Sequence, residues 1–353
     1  MQSYTEAVVE SSCEPAYADV NWDELGFNLI PADYMYMMKC TDGESFSHGF
    51  LARYSKLELD PSAAILNYGQ GLLEGLKAQR AKDGQILLFR PEEHGLRMKM
   101  GAERLCMPSP SVEQFVDALK QTVLANQHWV PPPGKGSLYV RPLIIGSGPV
   151  LRMGPAPEYT FLVYASPVGN LHKGQMSMKL VIQDKSHRAT PGGTGGIKSI
   201  TNYSPVFKPI SEAKAAGFSD ILFLDAATGK FIEEASSCNV FTVKGNVIST
   251  PALQDTILPG ITRKSIIDIA LSFKYQVEEC LLMVEDVMDA DEVFCTGTAV
   301  GVTPVASVTY QGKRCEYKTG DDTVTERLRT KLAAIQTGTA EDDFGWTSTL
   351  NQA

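Results

Sequence analysis

The chain has no Cys-x-x-C pair, no lysine or arginine before Lys39, and no apolar run long enough to cross a bilayer. Its seven cysteines, Cys13, Cys40, Cys106, Cys238, Cys280, Cys295 and Cys315, are odd in number and scattered. That spacing excludes a disulfide framework and a zinc site, so the expectation is a reducing compartment and no bound metal. Among the charged residues ahead of Lys39 all are acids, Glu6, Glu10, Glu14, Asp19, Asp23 and Glu24 at the start and then Asp33. A secretory signal needs a basic start and an apolar run, and organelle transit peptides are Arg-rich and poor in acid. Neither pattern is present, so the expectation is a cytosolic protein. Positive charge is scarce overall, with a net charge of -9, which argues against a nucleic-acid surface and leaves room for a local basic pocket. Neither a repeat nor a low-complexity segment is found. What remains is an ordinary globular composition, 43% hydrophobic and 21% charged over 353 residues, enough for about two domains.

Two phosphate-loop motifs are missing where glycines would suggest them. In Thr190-Pro-Gly-Gly-Thr-Gly-Gly-Ile-Lys198, Ile197 stands where a Walker loop requires glycine, and Lys198 takes the third glycine position of the dinucleotide fingerprint. Gly69-Gln-Gly71 fails as well, because Glu74 precedes the next glycine, Gly75. A lone lysine behind glycines has two readings: a solvated loop, or an amine whose pKa falls as it loses water and which then condenses with an aldehyde cofactor.

Periodicity sketches the elements. Gln85–Phe89 is a strand, Pro91 opens a helix to Leu105, and Ser111-Val-Glu-Gln114 is a capping box ahead of the stripe Phe115, Val116, Leu119 and Val123. Strands follow at Ser137–Ile145 and Tyr159–Ala165. The candidate boundary gives a small domain over 1–168, a loop over 169–176 and a larger domain over 177–353. In the second domain a strand at Met178–Ile182 precedes Lys198, and a helix is expected over Pro205–Ala216. Asn239–Val243 and Val247–Thr250 form a hairpin across Lys244-Gly-Asn246. Helices and strands alternate irregularly, so the fold class is mixed α+β rather than a doubly wound parallel sheet.

Other segments suggest chemistry without deciding it. Pro259-Gly260 opens a helix from Ile261, with Ile266, Ile267, Ala270 and Leu271 on one face, and its first amides suit a phosphate or merely water. Cys295-Thr-Gly-Thr-Ala299 is a turn whose Thr298 hydroxyl and Ala299 amide suit an anion. Glu233-Glu234 ends a strand and reads either as solvated acids or as a carboxylate holding a pyridine nitrogen protonated. Arg97 is placed by helical phase beside Leu96 and Met100, at the edge of an apolar face. Tyr139 and Arg141 project together from one side of their strand, as a carboxylate clamp or as a plain polar face.

Taken in order, these segments resemble the branched-chain amino-acid aminotransferases of pyridoxal-phosphate fold type IV, most closely the plant-type cytosolic subgroup. The resemblance rests on Asn67–Gly75, Leu88-Phe-Arg-Pro91, Leu138-Tyr-Val-Arg-Pro142, Gly192–Pro205, Glu234-x4-Asn239-Val-Phe241, Ile257–Arg263 and Phe294–Ala299, and it spans about Trp22 to Trp346. It implies a two-domain fold, pyridoxal 5′-phosphate and a homodimer, with amino groups moved between leucine, isoleucine or valine and 2-oxoglutarate. Lys198 would be the Schiff-base lysine and proton carrier, Tyr203 the partner of the cofactor's phenolic oxygen, and Glu234 the partner of its ring nitrogen, Glu233 being the weaker candidate. Arg97, Ile261, Thr262 and Thr298 would hold the phosphate, with Leu258 against the ring. Tyr139, Arg141 and Ala299 would meet substrate carboxylates, and Phe27 and Tyr68 would line the side-chain pocket.

The chain departs from that pattern in places. Val300 and Thr303 replace the redox cysteines of animal relatives, Leu171 replaces an aromatic residue, and Arg152 replaces a glycine. Methionine-type aminotransferases are the alternative within the family, with D-amino-acid transaminases and aminodeoxychorismate lyases further off. A catalytically silent member that binds the cofactor or a partner is the alternative from another class.

Overall fold

Alternation of side chains along the strand at Ser137–Gly146 decides the first unit. Leu138, Val140 and Ile144 are completely buried, while Tyr139, Arg141 and Leu143 on the other face are partly exposed. The computed structural model describes residues 17–169 and 177–350. It divides into two units: one takes the chain through Leu171 and again from Ile335, and the other takes His172–Ala334.

The first unit contains β1 (Tyr34–Thr41), β2 (Phe50–Arg53), α1 (Ala64–Tyr68), β3 (Gly71–Leu73), β4 (Leu76–Arg80), β5 (Ile86–Phe89), α2 (Pro91–Arg104), α3 (Val112–Ala125), β6 (Ser137–Gly146) and β7 (Glu158–Val168). These strands pair antiparallel, with β6 between β4 and β7 and with β3 also on β6. The capping box of α3 forms as expected, with Ser111 and Gln114 bonded reciprocally. Its stripe packs on the sheet, and Phe115 lies 6.0 Å from Phe161 of β7.

The second unit contains β8 (Met178–Gln183), α4 (Phe207–Ala215), β9 (Asp220–Leu224), β10 (Phe231–Ala235), β11 (Asn239–Lys244), β12 (Val247–Pro251), α5 (Ile261–Ser272), β13 (Gln276–Cys280), β14 (Leu282–Met283), α6 (Val284–Met288), β15 (Glu292–Gly297), β16 (Gly301–Tyr310), β17 (Lys313–Glu316) and α7 (Val324–Gln336). Its sheet runs β13-β12-β11-β15-β16-β8-β9-β10-β14, with β17 on β16. Parallel pairs β8–β9, β8–β16 and β12–β13 interrupt an otherwise antiparallel order, in keeping with a mixed fold. Parallel neighbours need a long crossover. The crossover from β8 to β9 is the segment that carries Lys198. The hairpin β11–β12 closes through Gly245 and Asn246, with Gly245 at φ 57°. Phe241 and Phe294, register partners on β11 and β15, stack at 4.9 Å in the buried core.

Three expectations change. The second domain is expected to continue to residue 353, but β18 (Thr347–Leu350) pairs antiparallel with β5, and the chain from Ile335 onward joins the first unit. Backbone pairing outranks chain order there, and Trp346 adds ring contacts to Phe89 and Arg90. Of the expected connecting loop, residues 170–176 lie outside the described residues, Leu171 among them. The helix expected from Pro205 starts at Phe207, after short 3-10 turns at Ile200–Asn202 and Ser204–Val206. Pro205 and Pro209 lack amide protons, so a regular helix cannot be hydrogen-bonded through both. On α5, Ile266 and Ala270 are buried as expected, whereas Leu271 is exposed.

Candidate functional site

In the second unit the glycine segment is clamped rather than loose. Asn202 Nδ2 donates to the carbonyls of Thr194 (2.8 Å) and Ile197 (2.9 Å), and the Thr194 hydroxyl donates to Asn202 Oδ1 at 2.7 Å. From the other side Gly196 N donates to the Asp255 carbonyl. A Cβ on Gly195 would come within 2.6 Å of the Thr256 carbonyl, so the close approach itself requires glycine. Ser199 is fully buried and caps the following turn through Thr201 N. Lys198 is thus held at both flanks, and its Nζ donates to the Tyr203 hydroxyl at 3.1 Å. The backbone around Lys198 is therefore fixed by hydrogen bonds, and the lysine itself is half-buried.

Glu234 is reached from three sides. Arg188 Nη1 lies 2.8 Å from Oε1, the Leu258 amide donates to Oε1 at 2.9 Å, and Asn239 Nδ2 donates to Oε2 at 3.2 Å. Burial pushes this carboxyl up from its ordinary value, while Arg188, the Leu258 amide and Lys198 pull it down. Donors on both oxygens suit the carboxylate form. Its position comes from a bulge: Ile232 faces Leu224 and Ala235 faces Leu222, so Glu233 and Glu234 together oppose one residue of β9. Both are buried, at 5% and 2% exposure, which removes the reading of solvated acids.

Asn239 also donates to the Leu258 carbonyl at 3.0 Å, which ties this carboxylate to the turn before α5. That helix starts at Gly260, where no side chain caps it and where a Cβ would collide with Asn239 Oδ1. The first amides of α5, at Ile261 and Thr262, therefore carry the positive end of its dipole with no capping side chain in front of them. Thr298 and Ala299 lie in the turn between β15 and β16, as expected.

The first unit holds the other expected residues. Arg141 Nη2 donates to the Tyr139 hydroxyl at 3.0 Å, and Phe27 packs edge-on to Tyr139 at 5.3 Å, so these three form one group. Tyr68 is placed differently. It is 42% exposed, and its hydroxyl donates to the Leu151 carbonyl. Arg97 is buried, but not at the edge of an apolar face: Leu96 and Met100 are 53% and 41% exposed. The buried side of α2 is polar at its centre, where Glu74 takes Arg97 Nε and Nη2 at 2.7 Å each and meets His94 Nδ1 at 2.6 Å. Burial alone would raise the Glu74 pKa, but Arg97 and His94 hold it well below the usual carboxylate range.

Sequence reasoning missed Arg188, Glu74, His94 and the clamping role of Asn202. Glu74 carried a readable signal, a lone acid between Leu73 and Leu76. Arg188 carried none, because its partner comes from a different strand. Among the described residues no cluster of metal-ligating side chains is found, and no helix is long and apolar enough to cross a membrane.

The amino-transferase class IV family model matches residues 71–308. Branched-chain-amino-acid aminotransferase 2, chloroplastic, of Arabidopsis thaliana is 60% identical over 96% of this chain and 87% of its own length. Methionine aminotransferase BCAT4 of the same plant is 55% identical over 97% of both chains. Among solved structures, the branched-chain amino acid aminotransferase of Escherichia coli superposes with a TM-score of 0.76 at 28% identity, over 91% of this chain and 100% of that one. Relatives of 56% to 60% identity carry chloroplastic or mitochondrial in their names, which overturns the cytosolic expectation drawn from the acidic opening.

Proposed function

The chain belongs to the class IV aminotransferases, and from that premise we propose the division of labour by which it moves amino groups between branched-chain L-amino acids and 2-oxoglutarate. The cofactor of this family is pyridoxal 5′-phosphate, and solved relatives at 28% identity hold its pyridoxamine form or a phosphopyridoxyl–glutamate adduct. When bound, the cofactor supplies an aldehyde to capture the amino group and a ring that takes up the electrons left by the departing Cα proton.

The residues fit that group. Glu234, buried and gripped by Arg188 and Leu258 N, is a carboxylate held ready for a protonated ring nitrogen. In the second unit, the Ile261 and Thr262 amides at the uncapped start of α5, with Thr298, are suited to the phosphate. Leu258 would pack on the ring.

Lys198 does the proton work. Its amine accepts the Cα proton and returns it, and the bond to Tyr203 keeps the nitrogen within a narrow range of positions. Holding the base next to the scissile bond makes the transfer intramolecular. In the first unit the Tyr139–Arg141 pair is suited to a carboxylate, and in the second unit the Ala299 amide is a donor of the kind a carboxylate takes. Phe27 offers apolar surface to the side chain, and Tyr68 would extend that surface from its exposed place. One pocket has to accept both leucine and a γ-carboxylate. Arg141, whose guanidinium lies 5.1 Å from the centre of the Tyr139 ring, is the cation that would turn toward or away from that charge.

The observation that carries this reading is the pinned Lys198–Tyr203 pair together with the buried Glu234–Arg188 pair. The test is glutamate formation from 2-oxoglutarate with a panel of L-amino acids. Leucine, isoleucine and valine are expected to exceed methionine by about tenfold or more in kcat/KM, a difference of about 1.4 kcal/mol. A methionine preference would transfer the chain to the activity named for the relative at 55% identity.

A homodimer is supported by exposed apolar side chains close together in the first unit, Leu66, Tyr68, Leu151 and Met153, the last two at 90% and 91% exposure. Sedimentation is expected to give twice the 38.4 kDa chain mass. Met153→Asp is expected to shift it toward the monomer.

A further inference from the structure

Glu233 lies in the same bulge as Glu234 and has no place in the chemistry so far. It is buried, and its Oε2 makes no hydrogen bond among the described residues. Two neighbouring buried atoms share that condition, Thr256 Oγ1 and Arg188 Nε. Arg188 joins the two acids: its Nη1 bonds Glu234 Oε1 at 2.8 Å and the Thr256 carbonyl at 3.2 Å. Among the described residues these three buried polar atoms, grouped behind Glu234, have no hydrogen bond of ordinary geometry although the Thr256 hydroxyl lies beside Glu233, and such atoms are costly to keep unless they respond to one another.

We propose that Glu233 is a positioning residue that carries a proton and, through Thr256 and Arg188, sets how much of the Arg188 charge is left to Glu234. Protonated, Glu233 leaves Arg188 to Glu234 alone. Ionised, it competes for the same guanidinium, and the negative potential at the cofactor ring grows. The inference rests on the reading of Glu234 as the partner of the ring nitrogen.

The electrostatic surroundings place this change near neutrality. Burial pushes the Glu233 carboxyl up to about 7; the Thr256 hydroxyl beside it and Arg188 pull it down, while Glu234 and Asp225 raise it further. Lys198 and Arg263 act on Glu234 from the crossover and from α5. The substitution E233Q mimics the protonated acid in shape and charge.

The experiment compares wild type, E233Q, T256V and E234Q, each titrated with pyridoxal 5′-phosphate while the visible band and the Kd are followed. At about pH 5.5 wild type and E233Q are expected to coincide. At about pH 8.5 E233Q is expected to bind about three- to tenfold more weakly, with no step between the two pH values. T256V, which loses the hydroxyl that favours ionisation, is expected to move the wild-type step to higher pH. Thermal unfolding of each variant at both pH values confirms that the fold is kept. A difference between wild type and E233Q that is equal at both pH values, or absent at both, overturns the proposal. E234Q separates the two layers of inference. An unchanged band and Kd there would sink the role of Glu234 itself, whereas a large change there alongside a flat comparison for E233Q would sink only the role of Glu233.

Discussion

Lys198→Ala is expected to lose turnover by at least about a thousandfold, which corresponds to about 4 kcal/mol of barrier. The size follows from the absence of a substitute. The neighbour of the amine is Tyr203, and a phenol hydroxyl can hold a proton but is a poor base at neutral pH. The clamp around the lysine, built by Asn202 and by the Gly196–Asp255 contact, does not depend on its side chain. The variant is therefore expected to fold and to bind pyridoxal 5′-phosphate through Glu234 and the start of α5. Single-turnover assays with leucine measure the loss. Borohydride reduction and peptide mapping of the wild type are expected to place the label on the peptide containing residue 198. A variant that retains a tenth of wild-type activity would remove Lys198 from the proton transfer.

Glu74→Gln is expected to produce the largest loss of stability. Glu74 is fully buried and bonded at short distance to Arg97 twice and to His94. Removing one member of a buried charge set leaves the others uncompensated, at a cost of about 3–5 kcal/mol. For a unit of this size that is a fall of about 10 °C in Tm. The pH dependence has a definite sign. The folded-state pKa of Glu74 is depressed, so its contribution is present above the unfolded carboxylate value near 4.5 and is lost as pH falls. Wild type should lose stability steeply on acidification below about pH 5, and the variant should show a shallower slope. Glu233 acts in the opposite sense. Its folded-state value is raised, so its contribution is complete below the unfolded value near 4.5 and is lost as pH rises through about 7. Calorimetry of E74Q and E233Q across pH separates the two carboxylates.

Local chemistry made much of this legible from the sequence. The capping box at Ser111, the hairpin before Val247 and the apolar stripe of α3 depend on near neighbours, and all three form, the hairpin with Lys244 paired to Val247 rather than left in the turn. Lys198 meets Tyr203 and Glu234 turns inward because short stretches of chain fix each one. What escaped was set by distant pairing. Arg188 meets Glu234 only after the β8–β9 crossover is laid down, and the polar centre of α2 exists because Glu74 arrives from the segment between β3 and β4. Helical phase assigned Arg97 to the side of Leu96 and Met100, since phase treats apolar residues as inward. A buried ion cluster inverted that rule.

The pairing of β18 with β5 bears on how the polypeptide leaves the ribosome. An edge strand in the first sheet waits for a partner that is synthesised only after the whole of residues 172–334 has emerged. Until then Ile86, Leu87, Leu88 and Phe89 present an apolar strand with one open row of amides and carbonyls, a surface that invites pairing with other nascent chains. Translation therefore passes through a long interval in which the first sheet is exposed to aggregation. A chain cut short before Thr347 never leaves that interval, even though every residue assigned to chemistry has been made.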